Sequence, residues 1–127
     1  MAILGVHHVA LICSDYERSR RFYTEVLGAE ILCETWRAQR RSHKLDLRLG
    51  SLQLELFSFP EPPPRPTRPE ACGLRHLAMA VDDLEQTIAR LASYGIAVEA
   101  VRTDELTGKQ FTFFQDPDGL PLELYEI

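Results

Sequence analysis

Two stretches of the chain repeat one order of apolar and polar positions. The first runs "GVHHVALICSDYERSRRFYTEVLGAEI" from Gly5, the second "GLRHLAMAVDDLEQTIARLASYGI" from Gly73. Each opens with a His in a short, β-rich apolar run, which predicts a strand. Helix starts follow: Ser14 with Glu17 three positions on forms a capping box, and Asp82 with Glu85 repeats it. Tyr16, Phe22, Tyr23, Val26 and Leu27 then share one helical face, as do Leu84, Ile88 and Leu91. Gly28 and Gly95 supply the stops.

Further strands follow each helix. "HKLDLRL" and "LQLELFSF" alternate across a turn at Gly50-Ser51, while "KQFTFFQ" and "PLELYEI" flank the turn Asp116-Pro117-Asp118-Gly119. The spacing repeats too: His8 to His76 and Glu55 to Glu123 are both 68 residues, and Asp15 to Gly28 and Asp82 to Gly95 are both 13. Each half therefore reads as strand, helix and three strands. One helix covers only one face of such a sheet, so two halves must pair to complete a core. The expected class is α+β, a single domain of two βαβββ modules whose curled mixed sheets flank a cleft. Module one spans 1–59, a proline-rich linker 60–72, and module two 73–127. Prolines 60, 62, 63, 64, 66 and 69 make the linker a semi-rigid, extended spacer.

Alternation then assigns faces, since neighbouring strand side chains point opposite ways. With Val9 and Leu11 against the helix, His8, Ala10 and Ile12 take the other face. With Leu52, Leu54 and Leu56 buried, Gln53, Glu55 and Phe57 face away. With Leu77, Met79 and Val81 buried, His76 stands with Ala78 and Ala80; with Leu122 and Leu124 buried, Glu123 stands with Tyr125. A two-residue turn at Gly50-Ser51 sets Asp46 opposite Glu55 and Arg48 opposite Gln53. His8, Glu55, His76 and Glu123 thus line one concave space if the sheets curl. Two imidazoles and two carboxylates suit a divalent ion such as nickel, cobalt, zinc or manganese. His7 has Arg75 as its counterpart, faces the helix side and reads as structural.

Composition narrows the classes. Of 127 residues, 45% are apolar and 26% charged, which fits a folded domain. The net charge of −5 argues against a nucleic-acid partner. The basic cluster Arg37, Arg40, Arg41, His43 and Lys44 reads as a solvated loop or strand edge. No apolar run approaches the ~20 residues of a membrane helix, and no secretory signal is visible. Cys13, Cys33 and Cys72 are odd in number and scattered, with Cys72 entering a strand. This usage points to the cytoplasm.

Taken in order, "HHVAL…D", "FY…VLG", "RHLAMAVDD" and "DPDGLPLELYE" resemble the vicinal-oxygen-chelate superfamily of glyoxalase I, bleomycin-resistance proteins and extradiol dioxygenases. "ELFSFP" and "PEACGLRHLA" resemble a small bacterial glyoxalase-I-like subgroup. The resemblance implies a fold of two βαβββ modules around a metal cleft, with ligands at His8, Glu55, His76 and Glu123. It also implies one divalent ion per site, nickel or cobalt first, with zinc or manganese as alternatives. The implied activity is a lactoylglutathione-lyase-like carbon–sulfur lyase or isomerase. Its substrate is a hemithioacetal of a small 2-oxoaldehyde, converted through a metal-bound enediolate, with Glu123 as base and Glu55 as ligand and partner. Glutathione-using relatives carry Arg four residues after the first ligand and Asn four after the second. Here a buried Ile12 and Phe59 stand there, which argues against glutathione. Lys109 is a candidate for holding an anionic substrate. The alternatives are a non-catalytic protein that sequesters a compound in its cleft, and an extradiol-type dioxygenase. Relatives exchange modules between subunits, so a homodimer is expected.

Overall fold

The computed structural model describes residues 2–127 and contains two compact units, one ending at Pro64 and the other spanning Arg65–Ile127. The first contains strand β1 (Val9–Cys13), helix α1 (Tyr16–Arg21) continuing into a π-helical turn (Phe22–Val26), and strands β2 (Glu30–Arg37), β3 (Ser42–Leu49) and β4 (Leu52–Ser58). The second contains β5 (Leu77–Val81), α2 (Leu84–Ser93), β6 (Arg102–Thr103), β7 (Gln110–Gln115) and β8 (Pro121–Glu126). Each unit is a βαβββ module with one four-stranded mixed sheet, ordered β1-β4-β3-β2 and β5-β8-β7-β6. The first and last strands of each module run parallel in both sheets. This makes the fold α+β.

The expected capping boxes lie one residue off. Asp15, not Ser14, caps α1 by accepting from the Arg18 amide at 3.2 Å, and Asp83, not Asp82, caps α2 by accepting from the Gln86 amide at 2.9 Å. In α1 the carboxylate also suits the positive end of the helix better than the Ser14 hydroxyl would, whereas in α2 both candidates are carboxylates and the extended backbone at Asp83 sets the cap. The two caps are 68 residues apart, matching the His and Glu offsets. Gly28 and Gly95 are only 67 apart, and both have positive φ, 78° and 76°. The extra residue of module one is taken up by the wide π turn, the usual way a helix absorbs an insertion.

Both cores lie between helix and sheet. In module one Leu45 pairs with Leu56 and Leu47 with Leu54, all buried with Leu11, Cys13, Phe22, Tyr23 and Val26. In module two Leu122 and Leu124 are buried with Leu84, Leu91 and Phe114. Leu77, Met79 and Val81 are half-buried rather than buried, though their alternation with exposed Ala78 and Ala80 holds. β6 is only two residues long. The neighbouring Glu99 also lies along β7, where its amide donates to Phe113 O at 2.9 Å and its carbonyl accepts from the buried Thr112 hydroxyl at 2.6 Å.

The proline-rich segment departs from an extended spacer. From Arg65 onward it folds onto module two: the Arg65 guanidinium donates to Leu74 O at 2.6 Å, and the Thr67 hydroxyl donates to Gly119 O at 3.3 Å. The second compact unit therefore begins at Arg65 rather than Gly73. Cys72 lies in this folded loop, exposed and ahead of β5, instead of entering a strand. No helix among the described residues is long and apolar enough to cross a membrane.

Candidate functional site

Parallel pairing sets one His beside one Glu in each module. Ala10 of β1 is the register partner of Glu55 on β4, and Ala78 of β5 that of Glu123 on β8. His8 and His76, two residues before those alanines, share their parity and lean over the carboxylates. His8 Nδ1 lies 3.4 Å from Glu55 Oε2, and His76 Nε2 lies 3.1 Å from Glu123 Oε1. Two donors bound at ~2.1 Å to one ion stand roughly 3.0–3.4 Å apart for right-angle to tetrahedral coordination. Within each module the His and Glu therefore have the spacing of two ligands of one ion.

Module one holds its carboxylate firmly. Glu55 is 7% exposed, directly across from Asp46 as the turn geometry predicts. Gln53 Nε2 donates to Glu55 Oε2 at 3.3 Å. Lys44 Nζ stands 3.7 Å from Glu55 Oε1 and 3.1 Å from Asp46 Oδ1. The hydrogen bond to Asp46, then the fields of Asp46 and Glu55, hold the Lys44 ammonium above its ordinary range. Lys44 thus stands half-buried beside Glu55 and Asp46 rather than as a fully solvated charge. Its parity with Asp46 on β3 was the signal for this.

The rest of the basic cluster divides. Arg40 and Arg41 are exposed at the β2–β3 turn, whereas Arg37 packs over the Phe57 ring at 4.7 Å and donates to Ser42 Oγ at 2.8 Å. His43 stacks on Tyr16 with ring centroids 4.0 Å apart.

Two other expectations change. His7 is exposed, and its Nδ1 lies 2.9 Å from His8 Nδ1. β1 starts only at Val9, so His7 and His8 both precede it; His8 keeps the side that alternation gives it, while the His7 ring turns to meet it. Its nearest donor atom falls with those of His8 and Glu55 inside a cluster no wider than 4.8 Å. Ile12 is 59% exposed, not buried.

Module two places its pair in a cavity of about 710 Å³, lined by Phe111, Phe113, Arg75 and Arg102 along with His76 and Glu123. Phe113 is the register partner of Glu123, and its ring meets the His76 ring edge-on at 5.1 Å. Among the described residues, His76 is the ion-pair partner of Glu123. Lys109 is exposed in the turn between β6 and β7 and lies outside the lining. Its carbonyl accepts from the Asp104 amide at 2.8 Å.

The sequence pattern of the Glyoxalase/Bleomycin resistance protein/Dioxygenase superfamily matches residues 5–124. The chain belongs to this superfamily. Protein YwkD of Bacillus subtilis is 58% identical over 127 residues, covering 99% of both chains. The crystal structure of a glyoxalase family protein from Enterococcus faecalis is 51% identical and superposes with a TM-score of 0.91, over 99% of this chain and 100% of that one. A 2-epi-5-epi-valiolone epimerase of an Actinomyces species is 32% identical, over 98% of this chain and 80% of its own. The superfamily fold is also that of the fosfomycin resistance protein FosX from Listeria monocytogenes, seen with Mn(II) and 1S,2S-dihydroxypropylphosphonic acid. FosX is 16% identical with a TM-score of 0.74, over 98% of this chain and 90% of that one.

Proposed function

We propose that the protein is a metal-dependent, glyoxalase-I-like lyase or isomerase acting on a hemithioacetal of a small 2-oxoaldehyde. His8, Glu55, His76 and Glu123 are the ligands of one divalent ion per site, nickel or cobalt in preference to zinc or manganese. The supporting observation is the matched pair: each module brings one His and one Glu to ligand spacing, at equivalent register positions.

When bound, the metal supplies Lewis-acid polarisation of two neighbouring substrate oxygens, which acidifies the carbon-bound proton between them. The chain's own residues divide the remaining work. Glu55 is held at both oxygens, by His8 and Gln53 on one side and Lys44 on the other, which suits a fixed ligand. Glu123 faces the module-two cavity with one ion-pair partner, which leaves it free to take a proton from one carbon and return it to the next. Phe113 keeps water from the edge of His76. Completing four ligands joins the half-sites of the two modules, either within a chain or across a homodimer that exchanges modules. Glutathione is disfavoured as the thiol because Ile12 and Phe59 offer no charge at the positions where relatives bind it.

Epimerisation is the second reading, supported by the 32% identity to the valiolone epimerase. It requires the same kind of proton abstraction, with the proton delivered to the opposite face of the same carbon instead of to its neighbour.

The test is metal content by mass spectrometry for the wild type and His76→Ala, followed by turnover of 2-oxoaldehyde–thiol adducts by Glu123→Gln. One ion per site in the wild type, lost in His76→Ala, with turnover abolished in Glu123→Gln, is expected. Metal binding with no turnover of any adduct would replace the lyase reading by epimerisation or by sequestration of a ligand in the cleft. No retained ion after reconstitution would sink the metal reading itself.

A further inference from the structure

The module-two cavity is lined by four arginines, Arg65, Arg68, Arg75 and Arg102, against three glutamates, Glu70, Glu99 and Glu123, in a chain of net charge −5. Their charges are not equally answered. Arg75 is taken up by Glu70, with Nε 2.5 Å from Oε1, and this pair holds the Glu70 carboxyl below its usual range. Arg65 donates to two neutral carbonyls, Leu74 O at 2.6 Å and Arg75 O at 3.3 Å, and its Nε is buried without a hydrogen-bond partner. This fixes the guanidinium yet leaves its charge uncompensated.

Arg102 is paired with Glu99 through one terminal nitrogen, at 3.2 Å and with both side chains more than half exposed, and it lies over two rings, 5.2 Å from the Phe111 centroid and 5.3 Å from that of Phe113. The same Phe113 ring touches His76. Arg102 is therefore separated from the His76–Glu123 pair by one aromatic ring. Stacking on rings orients the guanidinium, and the single hydrogen bond to Glu99 uses one of its five N–H donors, which leaves others for a planar or tetrahedral oxyanion.

We propose that this cavity binds a small oxyanion, a carboxylate or phosphonate carried by the substrate, with Arg102 as its principal contact and Arg65 as a fixed positive charge beside it. The inference rests on the proposed site at His76 and Glu123. It makes the substrate an anion bearing a vicinal oxygen on the neighbouring carbon.

Calorimetric titration of the full chain, metal-loaded and chelator-treated, with glycolate, hydroxymethylphosphonate and ethylene glycol tests it. At least one anion should bind more tightly than the neutral diol. That preference should fall roughly tenfold in Arg102→Gln, the loss of a charge-assisted contact, and less in Arg102→Lys. Metal content should be unchanged in both variants. The better of the two anions identifies the acid class. Equal binding of ethylene glycol, an undiminished preference in Arg102→Gln, or no anion binding at millimolar concentration would overturn the proposal. An anion preference that persists in a protein retaining no metal would support this site and count against the metal reading alone.

Discussion

Replacing Lys44 by Met should tighten metal binding while weakening the metal-free fold. Lys44 Nζ bridges two carboxylates that face each other across β3 and β4, 3.1 Å from Asp46 and 3.7 Å from Glu55. Like charges directly opposite in an antiparallel pair are destabilising, so the ammonium is what makes this register tolerable without another cation. A divalent ion on the His8 side of Glu55 would stand about 6 Å from the ammonium. At an effective dielectric of about 40, suited to a partly solvated pair, the repulsion is roughly 3 kcal/mol, or about two orders of magnitude in affinity. Salt screening trims this, and tenfold is the smallest rise consistent with the geometry.

Without metal, Lys44→Met should lose about 1–2 kcal/mol in urea unfolding, and saturating metal should restore it. The assays are competition titration against a chromophoric chelator and urea denaturation with and without metal. Unchanged or weaker metal affinity in Lys44→Met would mean that the ion does not sit on Glu55.

Two further outcomes follow from the packing. Leu122 is fully buried in β8, one residue from Glu123 but on the opposite face, so Leu122→Ala should cost about 3–4 kcal/mol of unfolding free energy by denaturant titration. Its metal affinity should remain intact in the folded fraction. The Tyr16 hydroxyl donates to Glu34, which also accepts from Arg20 at 2.9 Å; these bonds, Tyr16 first, depress the Glu34 carboxyl. A depressed carboxyl stabilises the fold above its unfolded value of about 4.3, and that stability is lost as pH falls through the folded value. Tyr16→Phe should therefore cost about 1 kcal/mol near neutrality, modest because Glu34 is 39% exposed, and the gap should close in acid denaturation below the carboxylate range.

Period-2 alternation made the facing of the candidate residues readable because each lies in or beside a strand with one buried face. Leu54 and Leu56 fix Glu55, Leu122 and Leu124 fix Glu123, and the pairing of Asp46 with Glu55 followed from a two-residue turn. The same rule failed at His7, which turns toward His8 ahead of β1, while it put Ile12 on the correct face, one that is open rather than buried. Helix caps were misread by one position because Ser14-Asp15 and Asp82-Asp83 each offer two adjacent acceptors, and only the backbone decides which meets the third amide. Lys44 and Arg102 were missed for another reason. Their roles depend on partners across a sheet, Glu55 for one and the rings of Phe111 and Phe113 for the other. Local sequence carries charge but not that juxtaposition.

The π turn at Phe22–Val26 has a consequence for how the two halves can diverge. One module has gained a residue relative to the other between cap and glycine, yet the caps, the histidines and the acidic strand positions keep a common offset of 68. The extra residue is housed in the wide turn, and the common offset returns at the acidic positions because module two has one residue more after its glycine, 28 positions from Gly95 to Glu123 against 27 from Gly28 to Glu55. The two modules thus differ in length both in the helix and in the stretch behind it, in opposite senses, while His and Glu in each stay 3.1–3.4 Å apart.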